Sequence, residues 1–328
     1  MCTAVSFRPK DHYFGRNLDL ELSLGEQVIV TPRNYVFDFR CVPPIRQHYA
    51  MIGVGILRKN YPLYYDGVNE KGLAMAGLNF PGYARYRPPR ERMDNIAPFE
   101  LIPWILGECA DVHEAVGKMR YLNLVKIPFD AELTLAPLHW MISDQERSVV
   151  VEPLKEGLRI YENPANVLTN NPNFQYHLLH LAQFMGLSAE KPVNRFSKKI
   201  PLKPYSLGMG AAGLPGDLSS PSRFVRAAFT CANAVSGEDE EENVGQFFHI
   251  LGSVEQQAGC ARAGDNRWER TVYASCCNTK SGVYYYTTYH NCRITAVDLF
   301  AEPLAGGKLS FYPLRTGADI FCENRRKS

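Results

Sequence analysis

Met1-Cys2-Thr3-Ala4-Val5-Ser6-Phe7 opens the chain as a short apolar strand with a cysteine at its start. Cys2 is small enough for an aminopeptidase to remove Met1, which leaves cysteine as the mature N-terminus. That residue then carries a thiol and a free α-amine on adjacent carbons. The ordinary pKa of an α-amine, about 7.7–8.0, lies close to the ~8.5 of a thiol. An N-terminal nucleophile of this kind needs no separate histidine as base. Taken alone, Cys2 is simply the second residue of an ordinary strand, so the remainder of the chain has to decide its role.

Pro9-Lys10-Asp11 is a turn, and Tyr13-Phe14-Gly15-Arg16-Asn17-Leu18-Asp19-Leu20 returns as a second strand. The hairpin brings Arg16 and Asp19 within reach of the N-terminus. Alternation puts residues i and i+3 on opposite faces, so both serve one site only near a strand end or a bulge. Gly15 is the candidate for that irregularity. Residues 27–32 and 50–56 are further strands, and Tyr64 to Gly72 turns into Leu73 to Gly82. Asn79-Phe80-Pro81-Gly82 ends that hairpin in a turn. Asn79, at the tip of a buried strand, is a candidate oxyanion donor, although alone it is an ordinary turn former.

Apolar residues at three- and four-residue spacing predict helices over 98–106 and 111–121, with Asp111 as N-cap and Glu114 completing a capping box. Sheet character returns at 138–144 and 148–152. Asn166-Val167-Leu168-Thr169-Asn170-Asn171-Pro172 makes a corner before a helix over 174–184. Residues 185–217 are irregular, and a loop of this length inside a compact chain is usually functional or an oligomer arm. Its glycines do not make a phosphate cradle, because no Lys-Ser/Thr comes after them and no strand leads in. Helices are expected over 219–235, carrying Arg223 and Arg226, and over 244–254 behind the acidic run Glu238 to Glu242. Strand-like stretches at 270–277, 282–289 and 293–299 close the chain. Strand pairs alternating with helix pairs suggest an α+β fold, two antiparallel sheets stacked between helical layers. With no repeat and no change of composition regime, residues 1–328 read as a single domain.

The 36 Lys+Arg against 34 Asp+Glu give a net charge of +2, so no bulk field argues for nucleic acid or an anionic membrane as partner. No apolar run approaches the ~20 residues that span a bilayer. Arg8, Lys10, Asp11 and His12 fall where a signal peptide would be apolar. The 9 cysteines include no C-x-x-C pair. An odd count of scattered thiols suits a reducing cytoplasm, which is the expected location. No cofactor or metal is expected.

Arg16, Asp19, Asn79, Asn170 and Arg223 now stand beside Cys2, in order along the chain. With Met1-Cys2-Thr3, Gly15-Arg16-Asn17-Leu18-Asp19, Asn69-Glu70-Lys71-Gly72-Leu73, Ala76-Gly77-Leu78-Asn79-Phe80-Pro81, Leu138-His139-Trp140-Met141-Ile142-Ser143-Asp144, Asn166 to Pro172, Gly213 to Asp217 and Ser222-Arg223-Phe224, the chain resembles the choloylglycine hydrolase family. That family holds conjugated bile acid hydrolases and penicillin V acylases, which are N-terminal-nucleophile enzymes. The resemblance implies a four-layer αββα sandwich and amide hydrolysis through a Cys2 thioester. It also implies the roles. The Cys2 α-amine is the base, Arg16 lies near the thiol, and Asp19 orients the amine. The Asn79 N–H and the Asn170 side chain form the oxyanion hole, and Arg223 adds positive charge. An apolar pocket for the acyl group would use Leu18, Tyr65, Phe129 and Leu133. Arg58 departs from the family, which often carries a pocket aromatic there.

Asn79 and the string around it favour conjugated bile acids, because penicillin acylases of the family tend to carry tyrosine at that position. Penicillin V is the runner-up substrate and acyl-homoserine lactones come third. A non-catalytic bile-acid-binding relative, or a papain-like hydrolase using Cys109, are the competing classes. Because the family commonly forms tetramers, a homotetramer is expected, with residues 185–212 as the arm.

Overall fold

The computed structural model describes residues 1–324. Strand β1 (Cys2–Phe7) pairs antiparallel with β2 (Tyr13–Leu20), setting Cys2 opposite Leu18 and Phe7 opposite Tyr13. All of β1 is buried, which explains why it carries no charged side chain: a strand covered on both faces has no solvent side to serve. A second sheet begins with β3 (Gln27–Thr31), β4 (Met51–Arg58), β5 (Tyr61–Tyr64), β6 (Asp66–Asn69) and β7 (Ala74–Asn79). Short β8 (Asp94–Ile96) and β9 (Leu122–Leu124) pair with each other around helices α1 (Leu101–Glu108) and α2 (Val112–Lys118). The second sheet resumes with β10 (Leu138–Ser143), β11 (Ser148–Leu154) and β12 (Gly157–Glu162), and two-residue β13 (Val167–Leu168) returns to β1.

Helices α3 (Phe174–Leu181), α4 (Ser220–Asn233) and α5 (Glu240–Gly252) come next. Then come the small hairpin β14 (Arg262–Gly264) and β15 (Arg267–Trp268), the long strands β16 (Arg270–Asn278), β17 (Val283–Thr288) and β18 (Asn291–Asp298), and finally β19 (Ser310–Pro313).

One sheet has the order β13-β1-β2-β16-β17-β18, and the other β12-β11-β10-β7-β6-β4-β3-β19 with β5 on β4. They face each other where β1 and β2 meet β7. One apolar core fills the space between the sheets and continues under α4 and α5, and a second lies between the larger sheet and α1 and α2. The result is the αββα sandwich. Among the described residues no helix is long and apolar enough to cross a membrane.

Local chemistry moved several boundaries. Helix α5 starts at Glu240, ahead of its apolar spacing, because Asp239 accepts from Glu242 N–H at 2.9 Å and the glutamates after it lie in the first turn. Asp111 caps α2 as expected, but the Glu114 carboxylate takes the N–H of Ala110 at 2.8 Å instead of closing the box on Asp111. The irregularity beside Asp19 is not at Gly15. A Cβ at Gly15 would sit 1.9 Å from the Ser275 carbonyl oxygen, so this glycine lets β2 close on β16 in register. The register slips in β16 instead, between Thr271 and Tyr273, opposite Asp19 and Leu18.

Candidate active site

Cys2 begins β1 near the edge of the sandwich, almost wholly buried. Its backbone N–H donates to Asn170 Oδ1 at 2.8 Å. Its carbonyl accepts from Arg223 Nη1 at 2.6 Å, and the same nitrogen reaches Thr3 Oγ1 at 2.7 Å. Arg223 Nη2 donates to Asn170 Oδ1 at 2.7 Å, and Nε to the Leu218 carbonyl at 3.0 Å. With two donors on its oxygen, the Asn170 amide is fixed, and Nδ2 donates to the Asn79 carbonyl at 2.7 Å. Among the described residues its second Nδ2 hydrogen has no acceptor.

Asn170 is itself clamped from behind. Its N–H goes to Ser220 Oγ, at the start of α4, at 2.9 Å. His177 Nε2 on α3 holds the Asn170 carbonyl at 2.8 Å, and His139 Nε2 on β10 holds the preceding Thr169 carbonyl at 2.9 Å. Phe80 stacks on His139 at 4.1 Å, and His177 stacks on Phe224. Burial pushes His177 down to about 4, so it is a neutral ring at neutral pH.

Phe80 N–H goes to the Pro137 carbonyl at 2.7 Å. By strand alternation the Asn79 N–H points the other way, to the side where Gly77 N–H meets the Tyr65 carbonyl at 2.9 Å. Asn79 N–H and Asn170 Nδ2 thus belong to one corner of the larger sheet.

Arg16 crosses between the sheets. Its Nη1 donates to the Gly77 carbonyl at 2.5 Å and to the Tyr65 carbonyl at 3.1 Å, while Nη2 is buried without a partner among the described residues. Burial opposes its charge, but the surrounding Cys2, Tyr273, Asp66 and Asp19 keep it protonated, raising its pKa. No salt bridge joins Arg16 to Asp19 among the described residues. Asp19 Oδ1 accepts from Thr271 Oγ1 at 2.7 Å, which the register slip in β16 brings alongside, and Oδ2 is buried and unpartnered among the described residues. Burial raises the Asp19 pKa, against the pull of Arg223.

Met1 precedes this cluster. Its amine donates to the Asp19 carbonyl at 2.8 Å and pairs with Glu269, and burial lowers its pKa. Removal of Met1 would move the chain's free amine onto Cys2, whose nitrogen already donates to Asn170 Oδ1.

Beside this corner lies a largely apolar cavity of about 320 Å³. Tyr65, Phe129 and Leu133 line it, as do Gly77 and Trp140. Leu18 does not line it: register sets this buried residue across from Cys2. Arg58 also stays out of the lining, its guanidinium turned to Glu132 on the cavity rim at 3.1 Å. A larger open groove of about 930 Å³ between α3, α4 and the start of the chain contains none of the six polar candidates. Among the described residues no cluster of His, Cys, Asp or Glu has metal-binding geometry.

Thr271, Ser220, His139, His177 and Glu269 were missed from sequence. Thr271 and Ser220 are ordinary strand and helix-start residues until the topology joins them to Asp19 and Asn170. His139 was visible in its strand, but nothing local ties it to Thr169.

The arrangement suits acyl transfer, with a buried thiol, an adjacent amine position and preorganised donors. The family described as linear amide C–N hydrolases, choloylglycine hydrolase family, matches residues 2–312. A bile salt hydrolase/transferase of Lactiplantibacillus plantarum is 52% identical over 99% of this chain and 100% of its own length. Another from Clostridium perfringens is 37% identical over 95% of this chain and 96% of its own. The crystal structure of the C2A mutant of conjugated bile acid hydrolase from Clostridium perfringens superposes with a TM-score of 0.91, at 35% identity, covering 99% of this chain and all (100%) of the other. Penicillin V acylase from Agrobacterium tumefaciens shares the fold, with a TM-score of 0.75 at 20% identity over 94% of this chain and 90% of the other.

Proposed function

The chain belongs to the choloylglycine hydrolase family of linear amide C–N hydrolases, and from that premise we propose that it cleaves the amide bond of glycine- or taurine-conjugated bile acids. The observation that carries the substrate reading is the apolar cavity reaching the Tyr65–Gly77 corner that Arg16 grips beside Cys2. A rigid, greasy acyl group fills such a cavity while its amide carbon lies at the cysteine. The curated relatives that share most of this chain are named for bile salts.

In this mechanism Met1 is absent and the Cys2 α-amine accepts the thiol proton. The sulfur attacks the amide carbon, and the developing oxyanion takes hydrogen bonds from Asn79 N–H and Asn170 Nδ2. The C–N bond breaks, and the ammonium proton passes to the departing glycine or taurine amine. Water, deprotonated by the same α-amine, then attacks the thioester, releasing the bile acid and restoring the thiol. Asp19 Oδ2 orients the amine, and Arg16 stabilises negative charge at the sulfur. Arg223 fixes Cys2 and Asn170 relative to each other. The acyl pocket is formed by Tyr65, Phe129 and Leu133, with Leu18 backing Cys2. The relatives' names also carry a transferase, and a thioester can pass its acyl group to an amine as well as to water.

The proposed setting is the cytoplasm, which the scatter of free cysteines supports. The proposed assembly is a homotetramer. Support comes from the arm, where Val193, Phe196, Leu202, Tyr205 and Leu207 are exposed apolar residues of the kind that pack against a second copy. Light scattering that returns a monomer would rule this assembly out. For the activity, rates on glycocholate, taurocholate and penicillin V are the test. Preference for a bile salt is expected, and preference for the penicillin would overturn the substrate reading.

A further inference from the structure

Glu152 on β11 is a fully buried carboxylate that no step of the mechanism uses. Its Oε1 meets His139 Nδ1 on β10 at 3.2 Å and accepts from the N–H of Phe174, the first residue of α3, at 2.9 Å. Its Oε2 is buried without a partner among the described residues. Burying a carboxylate is costly, and replacing a buried ion pair by apolar residues is often neutral or stabilising. Stability alone is therefore a weak reason for a carboxylate at this place.

Both groups that Glu152 holds lead to the same stretch of backbone. His139 Nε2 reaches the Thr169 carbonyl at 2.9 Å. Helix α3, whose first N–H Glu152 receives, carries His177, and His177 Nε2 reaches the Asn170 carbonyl at 2.8 Å. One carboxylate thus stands behind two rings that grip consecutive carbonyls. The His139 ring also lies flat on Phe80, the residue after Asn79, with centroids 4.1 Å apart. Asn170 Nδ2 and the Asn79 carbonyl, joined at 2.7 Å, are backed from the same place.

A carbonyl only accepts, so His139 Nε2 carries a hydrogen, and Nδ1 and Glu152 Oε1 share one further proton. We propose that Glu152 and His139 are positioning residues for the reaction: they fix the backbone at Thr169 and Asn170, and through it the aim of Asn170 Nδ2 at the developing oxyanion. This rests on the reading of Asn170 as an oxyanion donor given above, and adds to it the residues that aim the donor.

Glu152→Gln keeps the shape and removes the charge. Its oxygen can still take the Phe174 N–H, but a neutral imidazole that turns its one hydrogen to that oxygen has none for Thr169. With the amide turned over, Nδ1 receives a hydrogen and the Phe174 N–H loses its acceptor. In either orientation one of the two clamps opens. His139→Phe is the companion variant, keeping a ring against Phe80 while removing both nitrogens.

The test compares two readouts at Cys2. Alkylation by iodoacetamide, followed on the N-terminal peptide, needs the thiolate but forms no oxyanion, whereas amide hydrolysis needs both. Glycocholate is the substrate, or penicillin V should the enzyme cleave only that. Rates are counted per alkylatable Cys2, so misfolded enzyme drops out. Each variant should lower kcat by about ten- to hundredfold, as misplacement at a reacting centre does. KM should stay within about twofold and the alkylation rate constant should not change, because the lost interaction is made only in the transition state. In an Asn170→Ala background the same substitutions should cost less than about twofold, since the donor they aim is gone. Unchanged kcat in both variants, alkylation slowed in proportion to kcat, or a full-sized loss in the Asn170→Ala background would overturn the proposal and leave the bile-salt reading intact. Unaltered kcat in Asn170→Ala alone would overturn the oxyanion reading, and this proposal with it.

Discussion

Arg223 Nη1 donates to the Cys2 carbonyl at 2.6 Å across 221 positions of sequence, and Nη2 of the same guanidinium holds Asn170 Oδ1 at 2.7 Å. One buried cation on α4 thus sets the spacing between the sulfur-bearing residue and the amide proposed to face the acyl oxygen. Lysine carries the charge but cannot make both bridges. Arg223→Lys should lower kcat by roughly 10²-fold with little change in KM, since small misplacements at a reacting centre cost about that much. Steady-state kinetics check this, and a variant with unaltered kcat would show that charge alone suffices.

Asn170 is bonded through both ends of its amide and through its backbone N–H and carbonyl. Asn170→Ala removes the donor and the acceptor shared by Cys2 and Arg223, while the backbone bonds to Ser220 and His177 remain. Loss of one oxyanion donor typically costs ~10²–10³ in kcat. Circular dichroism should show native folding, and a loss confined to KM would argue that Asn170 binds substrate without touching the oxyanion.

Burial lowers the pKa of the amine at the start of the chain, and the Asp19 charge opposes that shift. Once Met1 is removed, the Cys2 amine occupies a still more buried place. A base must be neutral to act, so a lowered pKa carries activity to lower pH. The acid limb of kcat/KM should therefore fall below the ordinary α-amine range of about 7.7–8.0. Asp19→Asn removes the opposing charge and should move the limb lower still. A limb at pH 8 or above, or one shifted upward in the variant, would contradict this.

His177 bears on stability through pH. Its pKa is about 4 in the folded protein, because burial disfavours the charged ring, against about 6.5 when unfolded. Below pH 6.5 the unfolded chain binds the proton and the folded one does not, so stability is complete above that pH and falls as pH drops toward 4. At pH 5 the loss from this one group is about 2 kcal/mol. Tm measured between pH 7 and 5 should fall, and His177→Gln should flatten that fall. An unchanged slope would mean the ring is not buried neutral.

The hairpin of residues 2–20 and the β6–β7 hairpin were legible from alternation and turn residues, while the four-layer sandwich came from the family likeness, with which the order of strand and helix pairs agrees. All six polar candidates were legible only together, in order, through the family likeness. The sequence hid what depends on contacts across sheets. Thr271 reaches Asp19 through a register slip in β16, and no local signal encodes such a slip. β19 was missed because Ser310–Pro313 is a short, largely exposed edge strand lacking the periodicity that identifies a core strand. Leu18, expected in the pocket, is turned by strand register toward Cys2 and away from the cavity lining.

The proposed mechanism requires a cysteine that is both the first residue and the acyl carrier. Mass spectrometry of the active enzyme, quenched in acid during turnover of glycocholate, measures both on the N-terminal peptide. The expected peptide begins at Cys2, has a free α-amine and carries a labile cholyl group on sulfur. A fully active enzyme whose N-terminal peptide retains Met1, or whose acyl group lies on any other residue, would contradict it.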